Sequence, residues 1–240
     1  MHVLSLPNDS EPLTPKQIGR SVAEDMTTVL PGDWKVTADG VRRADGRQRT
    51  DINLQRASAS RGAHGVWLYP RLIVRDSGLK DWLSLNADWV DVPIDTGIFN
   101  SLLVNFTTIN TVFVSQTRVD PKSASYDEFL TTLLEGVLPI RELMRMPGTL
   151  LDLPDPWLWD VQGMLLWSVS VGRADLCWGL VDRNLGTNEV RRDAFTRGLR
   201  QQERGETYDR SNNLDSLGHL LGRLRERVEL GASPRWLNLE

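Results

Sequence analysis

The sequence predicts an α+β fold: an antiparallel β-meander preceded by an amphipathic helix and followed by a largely helical C-terminal half. Three observations carry this. Residues 51–76, DINLQRASASRGAHGVWLYPRLIVRD, read as two strands joined by a polar, glycine-containing loop. Ile18, Val22, Met26 and Val29 keep helical spacing upstream of it. After Asp120-Pro121, strand-type alternation gives way to helical spacing and capping signals. The expected organisation is a flexible arm at 1–13, a sheet domain at 14–122, and a helical region at 123–240 packed on the same core.

Each element has a local reason. Thr14, Pro15 and Gln17 give a capping box with a first-turn proline, and Pro31-Gly32 stops the helix they start. Residues 34–36 read as a strand start. Asp45-Gly46 is a turn signal, so 40–43 and 49–54 form a hairpin about it. Residues 57–65 are small and flexible, a loop. In 66–75, Val66, Leu68, Leu72 and Val74 share one face, and Trp67, Tyr69, Arg71, Ile73 and Arg75 share the other. Pro70 cannot donate to a ladder, which implies an edge strand or a bulge. Residues 76–100 are acidic, contain tryptophan and have a poor period. They read as a long connection with one short helix near Trp82. Residues 111–119 and 102–107 are rich in Val, Phe and Thr and read as strands.

In the second half, Ser125-x-x-Glu128 is a capping box, and Phe129, Leu130, Leu133, Leu134, Val137 and Leu138 supply an apolar face. Pro139 kinks or ends that helix, and Pro147-Gly148 marks a turn. Asp155-Pro156 reads as a cap with a first-turn proline. A helical hairpin follows, broken at Gly172 and closed by Gly186. A charged helix is expected at 189–205 and a last one at 213–230. Leu214, Leu217, Leu221, Leu224 and Val228 give the last helix a short heptad stripe. Two surfaces suit that stripe: the body of the same chain, or a second copy through Leu214, Leu217, Leu221 and Leu224.

The chain has 240 residues, 40% hydrophobic and 25% charged, with a formal net charge of -4. That balance argues against a nucleic-acid coat or a basic membrane-surface protein. A single cysteine, Cys177, cannot form an intramolecular disulfide and suits a reducing compartment. The opening MHVLSLPNDSEPLTP lacks the charged start and apolar run of a secretory signal, and no stretch approaches the roughly 18 apolar residues of a membrane span. The expected location is the cytoplasm. The bias of arginine over lysine suggests GC-rich coding and a bacterial source.

No catalytic constellation emerges. His2, His64 and His219 are isolated, and no Cys-x-x-Cys pair exists, so no structural zinc site is expected. No cofactor is expected either. Cys177, between Leu176 and Trp178, reads as a buried inert thiol. No serine elbow and no Walker or dinucleotide phosphate loop occurs. Asp51, Gln55 and Asp76 give a faint echo of the clustered carboxylates of a metal-dependent nuclease or other phosphodiesterase. The lysine such sites use is missing.

The basic residues Arg42, Arg43, Arg47, Arg49, Arg56, Arg61, Arg71 and Arg75 cluster in the strand region with Trp67 and Tyr69. Arginine beside stacking aromatics suits single-stranded RNA. Interleaved Asp39, Asp45, Asp51 and Asp76 suit cross-strand ion pairs instead. Protein contact favours Trp, Tyr and Arg too, and the acidic net charge tips the balance toward a protein partner. The candidate binding residues are Gln55, Arg56, Trp67, Tyr69, Arg71 and Arg75.

At INLQRAS, followed by the glycine loop and VWLYPRLIV, the chain resembles uncharacterised bacterial α+β proteins, some of which lie beside toxin systems as candidate immunity proteins. The resemblance covers about 14–180, implies the same element order, and lends no catalytic residues. The expectation is a non-catalytic cytoplasmic protein-binding module, with an immunity or accessory protein as its concrete form. A metal-dependent nuclease and an RNA-binding protein are the alternatives.

Overall fold

The computed structural model describes residues 14–58, 65–93, 96–102, 112–115, 124–207 and 213–237. It is α+β, with an N-terminal helix, an antiparallel sheet and a helical C-terminal half. The chain divides into two compact units: Met1–Arg75 with Phe99–Glu142, and Asp76–Ile98 with Leu143–Glu240. The boundary expected at 122/123 thus falls inside the first unit. Residues 76–98 belong with the C-terminal helices because their apolar side chains are buried there.

The first unit opens with α1 (Pro15–Val29). Its capping box forms as the sequence predicts: the Gln17 N–H donates to Thr14 Oγ1 at 3.3 Å, and the Thr14 N–H donates back to Gln17 Oε1 at 2.8 Å. Ile18, Val22, Ala23 and Met26 form its buried face. The sheet runs β1 (Lys35–Val36), β2 (Gly40–Asp45), β3 (Gln48–Ser58), β4 (Gly65–Asp76) and β5 (Phe99–Leu102) in spatial order, and β6 (Val112–Ser115) also pairs with β4. Asp45 pairs with Gln48, so the hairpin turns at Gly46-Arg47, one residue later than the Asp-Gly signal suggests. Gly46 takes the left-handed φ of +59° that this turn needs. Asp45 stays in the ladder and pairs with Arg43 and Arg141. β3 and β4 also extend into the stretch read as a loop; 59–64 lie outside the described residues.

Pro70 does not mark an edge strand. β4 is interior, paired with β3, with β6 across Gly65–Leu68 and with β5 across Arg71–Val74. Pro70 falls in the gap between those two partners and is paired with neither. Leu68, Leu72 and Val74 join Val41, Ile52 and Leu54 in one buried layer, and α1 packs on the sheet. Of the strands expected at 102–107 and 111–119, residues 102 and 112–115 are strand, and the others lie outside the described residues.

α4 (Ala124–Thr132) buries Phe129 and Leu130. It widens into a π-turn at Leu133–Val137 and resumes as α5 (Leu138–Leu143). Pro139 neither ends nor breaks the helical path. The wider turn before it accommodates a ring that lacks the N–H of a regular turn.

The second unit begins at Asp76, the last residue of β4. Its carboxylate caps α2 (Ser77–Leu85), accepting from the N–H groups of Gly78 at 2.7 Å and Leu79 at 3.2 Å. α3 (Ala87–Val90) follows, so 76–98 holds two helices rather than one. Leu79, Leu83 and Val90 are buried. Two-turn 3-10 segments at Pro147–Asp152 and Asp155–Asp160 lead into α6 (Val161–Ser170). Asp155 caps no N–H; it accepts from Arg183 at 2.6 Å. α6 is buried on nearly every side, as a helix apolar all round must be. Gly163 lets it approach the backbone: a Cβ there would lie 2.0 Å from the Gly97 carbonyl oxygen. α7 (Cys177–Leu185) completes the hairpin. α8 (Glu189–Glu203) and α9 (Asn213–Arg227) pack on each other. Leu217, Leu221 and Leu224 of the heptad stripe are buried within this unit, and Leu214 is half-buried.

Candidate functional site

The polar face of the sheet is built by alternation. On β4 it carries Trp67, Tyr69, Arg71, Ile73 and Arg75; on β3, Arg49, Asp51, Asn53 and Gln55; on β2, Arg42, directly opposite Asp51. Trp67 is 38% exposed, Gln55 is exposed, and Tyr69, Arg71 and Arg75 are half-buried. Arg71 donates through Nε to Asn100 Oδ1 at 2.7 Å across to β5. Arg56 does not share this face. It lies one residue out of phase, donates to Asp39 at 3.1 Å, and runs against Gly19 of α1.

The centre of the face is Asp51. Its side chain is 3% exposed and is held by three arginines. Arg42 Nε donates to Oδ1 at 2.5 Å, Arg49 Nε to Oδ2 at 3.0 Å, and Arg75 Nη1 to Oδ2 at 3.0 Å. One carboxylate thus fixes three guanidinium groups from three consecutive strands, leaving the cluster net positive. Sequence reasoning lists all four residues yet does not bring them together. The Arg42–Asp51 contact follows from hairpin register. Arg75 depends on the β3–β4 register, which no turn signal sets.

A further arginine lies buried beneath the sheet. Arg141 of α5 is 1% exposed. Its Nε donates to Thr50 Oγ1 at 3.0 Å, Nη1 to Glu142 at 2.5 Å, and Nη2 to Asp45. It ties α5 to β2 and β3 from the side opposite the Asp51 cluster. A charged residue on a helix reads as solvated, so no sequence signal marks it.

The carboxylates considered for metal chemistry are otherwise engaged. Both oxygens of Asp51 accept from guanidinium groups, and Asp76 caps α2. Among the described residues, no group of three or more His, Cys, Asp or Glu is placed to hold a metal ion. His219 is buried on α9; His2 and His64 lie outside the described residues. Cys177 is fully buried, and burial, helped by the negative charge of Asp175, pushes its thiol up to about 12, so it carries no thiolate near neutrality. Among the described residues, no helix is long and apolar enough to cross a membrane. Comparison with protein-family models, characterised proteins and solved structures finds no match to this chain.

Proposed function

We propose that the chain is a non-catalytic binding protein that captures another protein on the polar face of its sheet. One observation carries the reading: an exposed tryptophan shares a sheet face with three arginines already fixed by a buried carboxylate. Trp and Arg dominate protein-binding hot spots, and side chains fixed in advance lose less entropy on association. A bacterial cytoplasmic immunity or accessory protein is the concrete form, supported by the resemblance of 51–76.

The test is affinity capture from the native host with wild type and a Trp67→Ala/Arg71→Ala variant. The expected result is one dominant protein partner, lost from the variant while its thermal midpoint stays within a few degrees of wild type. Equal capture by both proteins, or recovery of RNA alone, would overturn the reading.

A further inference from the structure

We infer that Arg42, Arg49 and Arg75 form a preorganised oxyanion seat, and that its occupant is a carboxylate on an acidic segment of the partner. This rests on the binding reading above and names the chemistry of the anchor.

The geometry argues for it. Each guanidinium carries a fork of N–H donors and spends one on Asp51. Among the described residues, none of the three has a second acceptor. Arg42 and Arg49 both use Nε, the inner donor, so their terminal amino groups remain unspent. Their side chains are 45% and 41% exposed, and that of Arg75 is 31% exposed. Asp51 cannot satisfy them: it is one negative charge among three positive ones.

The energetics point the same way. A free arginine gives up roughly 2 kcal/mol of side-chain entropy when a ligand orders it. Asp51 has already ordered these three, from strands that cannot splay. An incoming carboxylate meets paired N–H donors, the arrangement that gives short, charge-assisted contacts.

One feature favours a carboxylate over a nucleic-acid phosphate: a polynucleotide needs a track of basic groups, whereas this is one compact seat.

The full-length chain is titrated against fluorescein-labelled hexaglutamate and, separately, fluorescein-labelled oligouridylate, both followed by anisotropy at low salt. Saturable binding of hexaglutamate is expected, weakened about tenfold or more in Arg42→Gln/Arg49→Gln. Arg42→Lys keeps the charge and the Asp51 pair but loses the fork; it should weaken binding severalfold and covers the case of a poorly folded double variant. Arg20→Gln, an exposed arginine of α1 paired with Glu24, should bind hexaglutamate within about twofold of wild type. The titration uses no partner protein, so failure of the seat is read apart from failure of partner capture. No saturable binding, unchanged binding in both arginine variants, or tighter binding of oligouridylate would overturn the proposal.

Discussion

Arg42 and Arg49 grip opposite oxygens of Asp51, each through Nε, at 2.5 Å and 3.0 Å. Arg42 reaches across the hairpin from the position facing Asp51, and Arg49 from two residues earlier on the same strand. The carboxylate therefore offsets the repulsion among like charges gathered in the middle of a sheet. Asp51→Asn retains the shape and removes the charge, leaving three guanidinium groups facing one another. Because they are partly exposed, solvent absorbs some of the cost, and the expected loss is about 1–3 kcal/mol in urea unfolding. Added salt should recover more stability in the variant than in wild type, by screening the repulsion. An Asp51→Asn protein as stable as wild type at low salt would show that the arginines need no organiser.

The parts of this fold that were legible are those with local chemistry. Thr14 and Gln17 announced α1, and alternation over 66–75 separated Leu68, Leu72 and Val74 from Trp67, Tyr69, Arg71 and Arg75, with Ile73, assigned to the polar face, buried as well. Of the short helices, the one near Trp82 was legible as α2, but its bounds and the whole of α3 were not. α2 buries only Leu79 and Leu83, too few positions to set a period among the neighbouring Asp and Trp residues. The edge signal at Pro70 failed for another reason: two strands share β4 end to end, and sequence cannot show that a proline sits at their junction. The leucines of α9 announced a helix-packing stripe, and the same pattern suits a neighbour in the chain and a second copy equally. At the site, a turn at Asp45-Gly46 would set Arg42 opposite Arg49; the turn one residue later sets it opposite Asp51 instead, and Arg75 and Arg141 are placed by tertiary register alone.

Arg141 gives a direct test of that tertiary element. Its guanidinium is buried and satisfied by Thr50, Asp45 and Glu142. Arg141→Ala removes the donors and opens a cavity, for an expected loss of about 3–5 kcal/mol. Arg141→Met fills most of the space but still strands the fully buried Thr50 hydroxyl, so it should fall between Ala and wild type. Thr50→Val removes that stranded hydroxyl. The double variant Arg141→Met/Thr50→Val should be less damaged than the sum of the singles by about 1 kcal/mol, measured as a coupling energy from chemical unfolding. Strict additivity would mean that the two side chains do not depend on each other.

The crossing of α8 and α9 rests on glycine. A Cβ on Gly218 would lie 2.0 Å from the Phe195 carbonyl oxygen, and one on Gly198 would lie 2.0 Å from that of Asp215. Backbone cannot step aside, so Gly218→Ala should force the helices apart and cost about 3 kcal/mol or more. Gly222 is the milder case. Its nearest neighbours are Gln202 Cγ at 2.8 Å and Cβ at 2.9 Å; Cγ can rotate away, whereas Cβ is fixed to the backbone. Gly222→Ala gains about 1 kcal/mol of helix propensity against that overlap and should cost clearly less than Gly218→Ala. Thermal unfolding monitored by circular dichroism separates the two, and equal shifts would contradict the close approach.

Cys177 makes a prediction about alkaline pH. Its thiol proton is held in the fold by burial and by the nearby charge of Asp175, raising the pKa from 9.0 to about 12. The unfolded chain releases that proton near 9, whereas the folded chain keeps it. The thiol's contribution to stability is thus fully present below about pH 9 and is lost as pH rises toward about 12. In that window it should fall by about 1.4 kcal/mol per pH unit. The measurement is the difference between wild type and Cys177→Ala, which cancels every contribution the two proteins share. Between pH 8 and pH 10 wild type should lose roughly 1 kcal/mol more than the variant. The same burial predicts no reaction of the native thiol with an alkylating reagent at pH 8 and full reaction in denaturant. A difference between wild type and variant that stays flat with pH, or rapid native labelling, would show that the thiol is not held as described.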